Sequence, residues 1–307
     1  METIMSFKKV LAAAAVGLAF FNNGAALAVP LSSITGAVEF KLSGVTTGFF
    51  TQTNTNEATW GVGKITQITT LTSAGANTLW NSGEGGDHLG FMLYGAADLS
   101  NSGTSPNLNL YNVGATGTGC GSLCNSIYID MFKRTSDASW TTPSLRAGPG
   151  GGYNAYPGVS DGLPLWLRLQ LVPGIVADDP NTIGIDEGTT ATLSQSLNSL
   201  TLPAAGSGTF YANVIGGSAM ASYNSNGFTT LLTTTADMLG IFSLTDNTTG
   251  SVAGCNPASI NCFFGLIRDP VTANVVPEPG SIALLGLGLL VMGGAGLGRR
   301  RMAQFQG

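Results

Sequence analysis

Leu163-Pro164-Leu165-Trp166-Leu167-Arg168-Leu169-Gln170-Leu171 sets five leucines on one side of an extended chain and Trp166, Arg168 and Gln170 on the other. A strict period of two is what a strand needs when one face meets a core and the other meets solvent. It is the pattern of antiparallel sheets. Pro164 is compatible with this, because it stands at the start of the strand, where its missing N–H costs no ladder bond. The same period recurs through the chain. Val38, Phe40 and Leu42 alternate with Glu39 and Lys41, and Ile127, Ile129 and Met131 alternate with Tyr128, Asp130 and Phe132. Further strands are expected at Gly63–Thr72, Leu89–Ala97, Leu108–Val113, Gly208–Ile215, Met238–Leu244 and Phe263–Arg268. Turn-forming residues separate them at Ser82–Gly86, Asn101–Pro106, Gly148–Gly152, Asp178–Asn181 and Ala205–Ser207. Leu193, Leu197 and Leu200 have helical spacing, but their Ser, Thr and Asn neighbours are poor helix formers, so this stretch reads as strand or loop. No block repeats at a fixed period. The expectation is an all-β fold, an antiparallel β-sandwich for which a jelly roll is one form.

Composition narrows the partners. Between two distinctive ends, Val29 to Val276 carry three Lys and four Arg against 15 acidic residues, a formal net charge of −8. Nucleic acid and anionic lipid both call for clustered positive charge, so neither is expected as a partner. Polarity comes instead from Thr, Ser, Asn and Gly, which suits a turn-rich extracellular β protein. The four cysteines form two local pairs, Cys120/Cys124 and Cys255/Cys262. In an exported chain disulfides are the default, and of the three connectivities the two local ones are favoured because each pair sits in a turn-rich loop. Such short bridges would pin loops rather than hold the fold. Zinc is the alternative for Cys120 and Cys124, but no histidine is near either pair.

The search for chemistry is mostly negative. His88 is the single histidine, and its neighbour Asp87 is too close in sequence to give triad geometry, so a polar loop residue is expected. Gly148 to Gly152 resembles a phosphate loop but lacks the Lys-Ser/Thr pair. Asp178, Asp179, Asp186 and Glu187, with Asn181, form the densest acidic cluster. It is a weak calcium candidate, against the plainer reading of a solvated loop. Trp166 and Arg168 are the best candidates for sugar contact, because they share the polar face of their strand. Most aromatics of a β-sandwich, however, pack in cores. A glycosidase carboxylate pair cannot be picked out, and no threonine ladder suits ice. No cofactor and no enzymatic activity are expected.

The two ends say where the chain goes. Lys8 and Lys9 precede a 12-residue apolar stretch, Val10 to Phe21, and Ala26-Leu27-Ala28 supplies the small-x-small pattern read by signal peptidase. At the other end stand Pro277-Glu278-Pro279, an uncharged 18-residue run from Ser281 to Gly298, and Arg299-Arg300-Arg301. A helix of that run spans about 27 Å, near the lower limit for crossing a bilayer. The arginines would hold its end in the cytoplasm. The expected division is signal peptide 1–28, extracellular β domain 29–270, linker with the Pro-Glu-Pro motif 271–280, transmembrane helix 281–298 and basic tail 299–307.

Pro-Glu-Pro, a membrane helix and an arginine cluster in that order closely resemble the PEP-CTERM sorting signal, also described as an ice-binding protein C-terminal segment. The resemblance implies recognition by exosortase, a membrane-embedded cysteine protease-like enzyme of Gram-negative bacteria. It also implies cleavage near Pro277-Glu278-Pro279, with release to the cell surface or exterior. The family travels with exopolysaccharide and biofilm genes. The body is similar to a group of secreted PEP-CTERM proteins through Thr59-Trp60-Gly61-Val62-Gly63-Lys64-Ile65-Thr66, Leu89-Gly90-Phe91-Met92-Leu93-Tyr94-Gly95, Leu108-Asn109-Leu110-Tyr111, Gly208-Thr209-Phe210-Tyr211-Ala212-Asn213-Val214-Ile215-Gly216-Gly217 and Asp269-Pro270. That group brings no chemistry with it. The implied partners are signal peptidase, exosortase, the inner membrane before processing, and exopolysaccharide after it.

Overall fold

Period-two segments become long strands in the computed structural model, which describes residues 30–31, 34, 36–49, 57–70, 76–116, 126–139, 158–160, 162–198, 205–246 and 262–275. The strands are β1 (Gly36–Phe49), β2 (Thr59–Thr70), β3 (Thr78–Asn81), β4 (His88–Thr104), β5 (Asn107–Gly114), β6 (Tyr128–Arg134) and β7 (Leu165–Val172). They continue as β8 (Leu193–Leu197), β9 (Ala205–Gly216), β10 (Phe228–Thr229), β11 (Thr235–Ala236), β12 (Met238–Asp246) and β13 (Cys262–Val275). The all-β, antiparallel expectation holds, and Leu193–Leu197 is a strand. Two expected turns are displaced. β4 runs on to Thr104, so its turn narrows to Ser105-Pro106, and Ala205–Ser207 opens β9 instead of preceding it.

The ladders join every described strand except β10 and β11 into one 11-stranded sheet. Its main path runs β2-β1-β13-β12-β9-β7-β6-β4, and the additional β2–β4 pairing brings β4 back to β2, so the sheet closes on itself. β5 and β8 make a second bridge from the far half of β4 to the near half of β9. The hydrogen bonds of the eight strands on this path thus trace a single closed ring. Eight strands give a ring whose interior side chains alone can fill.

Inward residues of the whole ring form the main core, including Phe40, Ile65, Phe91, Met131, Leu169, Phe210 and Met238. A second cluster lies on the opposite face of β1, β2, β4 and β6, where Val45, Val62, Met92, Tyr94, Tyr128 and Phe132 pack with Val159. β4 is therefore buried on both faces, with Phe91 and Leu93 on one side and Met92 and Tyr94 on the other. Its sequence shows a continuous apolar run for that reason. Among the described residues no helix is long and apolar enough to cross a membrane. Signal peptide, sorting motif, apolar run and basic tail all lie outside the described residues.

Glycine–aromatic pairs fit the interior to its walls. Phe210 is paired with Gly240, and Gly208 with Phe242. A Cβ on Gly240 would stand 2.1 Å from the Phe210 ring, and one on Gly208 would stand 2.0 Å from Phe242. The far end of each ring lies over the glycine opposite, an arrangement that shields a glycine backbone within a sheet. Phe91 covers Gly44 and Gly63 in the same way. We expect Gly240→Ala to lower unfolding free energy by about 1–3 kcal/mol, the usual cost of overpacking. Gly216→Ala, whose Cβ would meet nothing nearer than 3.7 Å, should cost far less. Denaturant titration of the two variants checks this.

Candidate functional site

β7 overturns the sequence reading of its two faces. Leu167, Leu169 and Leu171 point into the main core, but Trp166 is buried there as well. Leu163 and Leu165 pack against the second cluster on the outer face. An irregularity in the β6–β7 ladder, which pairs Phe132 with Leu165 and Met131 with Leu167 and passes over Trp166, breaks the alternation that the sequence displays. The Trp166 ring meets Tyr223 edge-on with centroids 5.4 Å apart, and Phe40 at 6.3 Å. It is an anchor of the core, only 5 % exposed, and no sugar can stack on it. Arg168 is likewise engaged. Its Nε and Nη2 donate to the two carboxylate oxygens of Asp130 at 2.7 and 2.6 Å. The Asp130 side chain is fully buried, and Tyr94 Oη donates to it at 3.3 Å. A bidentate guanidinium of this kind makes such a charge tolerable away from water.

The acidic cluster is a fastening, built from the loop between β7 and β8. Asp179 accepts bonds from Ser102 Oγ, from Tyr111 Oη at 2.9 Å, and from the backbone and side-chain amides of Asn181 at 3.0 and 2.8 Å. Glu187 accepts from Ser100 Oγ at 2.5 Å and from the Asp179 N–H at 3.3 Å. Asp178 accepts from the Glu187 N–H, and Asp186 caps the short helix Glu187–Thr190 through the Thr189 N–H. The four acids that suggested calcium are thus used as acceptors: Asp179 and Glu187 bind the loop to the outer side of β4 and β5, and Asp178 and Asp186 hold the loop's own backbone. Among the described residues no group of three or more His, Cys, Asp and Glu is placed to hold a metal ion. Hydrogen bonds from Ser102, Asn181 and Tyr111 lower the Asp179 pKa to about 2. Burial works against the Glu187 charge, but bonds from Ser100 and Thr182 outweigh it and bring its pKa below the usual value. Burial and the bond to Asp179 push the Tyr111 phenol up.

His88 acquires partners that adjacency in sequence did not reveal. Ser82 Oγ lies 2.9 Å from its Nδ1, and Asp137 Oδ1 lies 3.7 Å from the same nitrogen. Asp137 is also paired with Lys64, while Asp87 pairs with Lys133 at 2.8 Å. Serine, histidine and aspartate are therefore together, but a hydrolase needs serine and aspartate on opposite ring nitrogens. With both at Nδ1, the imidazole cannot take a proton from Ser82 while Asp137 orients it.

A third polar group escaped the sequence reading. Asp98 faces Asn112 across β4 and β5, and Asn112 Nδ2 donates to Asp98 Oδ1 at 3.0 Å. Gln195 Nε2 of β8 donates to Asn112 Oδ1 at 2.7 Å. Asn112 is completely buried, and Gln195 nearly so. Burial raises the Asp98 pKa to about 6, against the opposing bond from Asn112. Asp237 is buried too, and its carboxylate receives the N–H groups of Val214, Ser225 and Asn226 at 2.6–2.7 Å, fixing the turn after β9. Cys120, Cys124 and Cys255 lie outside the described residues, as do Trp140, the Gly148–Gly152 loop, Ala26, Ala28, Pro277, Glu278, Pro279 and Arg299 to Arg301. Cys262 opens β13, but its side chain is outside them. No protein family, no curated protein and no solved structure matches the chain.

Two outcomes follow from these contacts. Arg168→Met should cost about 3–5 kcal/mol, because it leaves the Asp130 charge buried without its counter-ion. Chemical denaturation at neutral pH measures that loss. The Asp98 proton leaves the unfolded chain near 3.8 and the folded chain near 6. Its ionisation therefore begins to cost stability as pH rises past about 4, and the full cost is present above about 6. Asp98→Asn keeps the acceptor for Asn112 and removes that cost. Melting temperature should rise relative to wild type at pH 7 and match it near pH 3.5.

Proposed function

We propose that this chain is an exported precursor, sorted by exosortase and delivered to the cell surface or extracellular matrix. There it has a structural or adhesive role within exopolysaccharide or biofilm. One observation carries the reading: Pro277-Glu278-Pro279, the uncharged run Ser281 to Gly298 and Arg299-Arg300-Arg301 stand in the order of the PEP-CTERM signal. The signal-peptide pattern ending at Ala28 agrees with it. The way the body uses its polar side chains supports a non-catalytic role. The Asp178–Glu187 acids fasten a loop, Asp130 and Arg168 satisfy each other, and His88 has its serine and aspartate on one nitrogen. A carbohydrate-binding role would have to do without Trp166.

For the body we propose a jelly-roll-like form of the sandwich, in which the closed ring is flattened into two facing walls. In its support, a void of about 30 Å³ is lined by Leu42, Phe242 and Val271 from β1, β12 and β13, and by Phe91 and Met131 from β4 and β6. Side chains of the two sides meet across it, and a gap of that size takes at most a water or two.

The intact mass of the protein recovered outside its native host, beside that of a Glu278→Ala variant, tests the sorting. The expected wild-type species begins at Val29 and ends near Pro277, and the variant keeps Ser281 to Gly307 in the membrane fraction. A wild-type protein that keeps this tail in the membrane would be a permanently anchored one, and the matrix role would lose its basis.

A further inference from the structure

The ladder between the first and last strands pairs Gly36 with Val275 and Phe49 with Cys262. β1 begins where β13 ends. Both chain exits of the body therefore leave the ring side by side, at the pole where β2 and β6 end and β4 begins. β13 stops two residues before Pro277, and five residues, 276–280, separate it from the apolar run at Ser281. Fully extended, those five reach roughly 18 Å. β4, 17 residues long, covers about 55 Å along its own direction, or roughly 40 Å of ring height at the usual strand tilt. The linker is too short for the opposite pole to come round to the membrane.

Charge separates standing from lying down. At the exit pole, Lys41 is paired with Glu39, Lys64 with Asp137, and Lys133 with Asp87, while Arg134 Nε donates to the Ser136 carbonyl. Glu84 lies in the same region, bonded to Asn81. Four cations thus meet five carboxylates there, the fifth being buried Asp237, which stands just before β12 and receives three backbone N–H groups. Asp98, Asp178, Asp179, Asp186 and Glu187 sit on the far half or on the loop fastened to it, and no Lys or Arg side chain among the described residues accompanies them. A body with a net charge of −8 is repelled by an anionic headgroup surface, and least so through the pole where most of its cations stand. On its side, it would press the Asp178–Glu187 loop against that surface.

We propose that the tethered precursor stands on the membrane pole-first. The end of the ring at which β1 begins and β13 ends faces the lipid headgroups, and the acidic end faces the cell exterior. This rests on the sorting reading, which supplies the membrane segment. The test uses full-length Glu278→Ala precursor in native inner-membrane vesicles, with a photo-cross-linking amino acid at Glu84, at Thr104 or at Ile183. Glu84 marks the exit pole, Thr104 the end of β4 at the far pole, and Ile183 the fully exposed tip of the acidic loop. Lipid adducts several-fold more abundant from position 84 than from 104 and 183 are expected. Equal yields, or an excess at 104 or 183, would overturn the orientation while leaving membrane retention, and so the sorting reading, intact. Precursor absent from the vesicle fraction would overturn the sorting reading, and the orientation with it.

Discussion

The pairing of β1 with β13 is the constraint on which the rest of the fold depends. It joins the two ends of the body along an unbroken ladder from Gly36↔Val275 to Phe49↔Cys262. Together with the β2–β4 contact it makes an open sheet into a ring. Without it β1 and β12 would become edges, offering unpaired N–H and C=O groups to any neighbouring chain. Among the described strands the main sheet ends in β3, four residues long, and its other end, β8, is paired on both sides. A short edge is the common protection against edge-to-edge association. Closure also makes the interior finite, which is why Gly208, Gly240, Gly44 and Gly63 must yield space to Phe242, Phe210 and Phe91.

Strand positions were legible because alternation is a local property. Val38–Leu42 and Met238–Leu244 each fall in a strand of the ring, and all of Ile127–Phe132 but its first residue does too. The faces of β7 were not legible. Leu163 to Leu171 alternate without a break in sequence, but the β6–β7 ladder passes over Trp166 between Leu165 and Leu167 and so lets it turn inward, and a covering segment at Val159 draws Leu163 and Leu165 outward. A bulge is a relation between two strands, and one strand's period does not contain it. The turn proposed at Asn101–Pro106 was too wide for a similar reason: cross-strand pairing with β5 holds Asn101 to Thr104 extended despite their turn-forming composition.

A sorting signal of the kind proposed would be read as a linear peptide, so order and spacing would contain its information. The polar groups of the body are assembled from afar: Ser82 with His88 and Asp137, Asp130 with Arg168, Asp98 with Asn112 and Gln195. Their residue types were visible, but their register was not. Across these sites the carboxylates have one task, accepting hydrogen bonds that hold loops and neighbouring strands in place. With few charges to distribute, the body uses them as internal fasteners and covers itself with neutral polar residues.

The order of the strands also sets a timetable. If the chain is exported as proposed, from its N-terminus, β1 emerges early and β13 last, just ahead of the tail. β1 can pair with β2 at once, but its other side must wait for nearly the whole body to emerge, and loop closure over such a separation is slow. For that interval the growing sheet has an open seam, in a compartment where neighbouring copies are emerging too. Under the proposed tethering, a tail that keeps the last strand close to the membrane would limit each copy's freedom to find another's seam, and retention and completion of the fold would become one event in time.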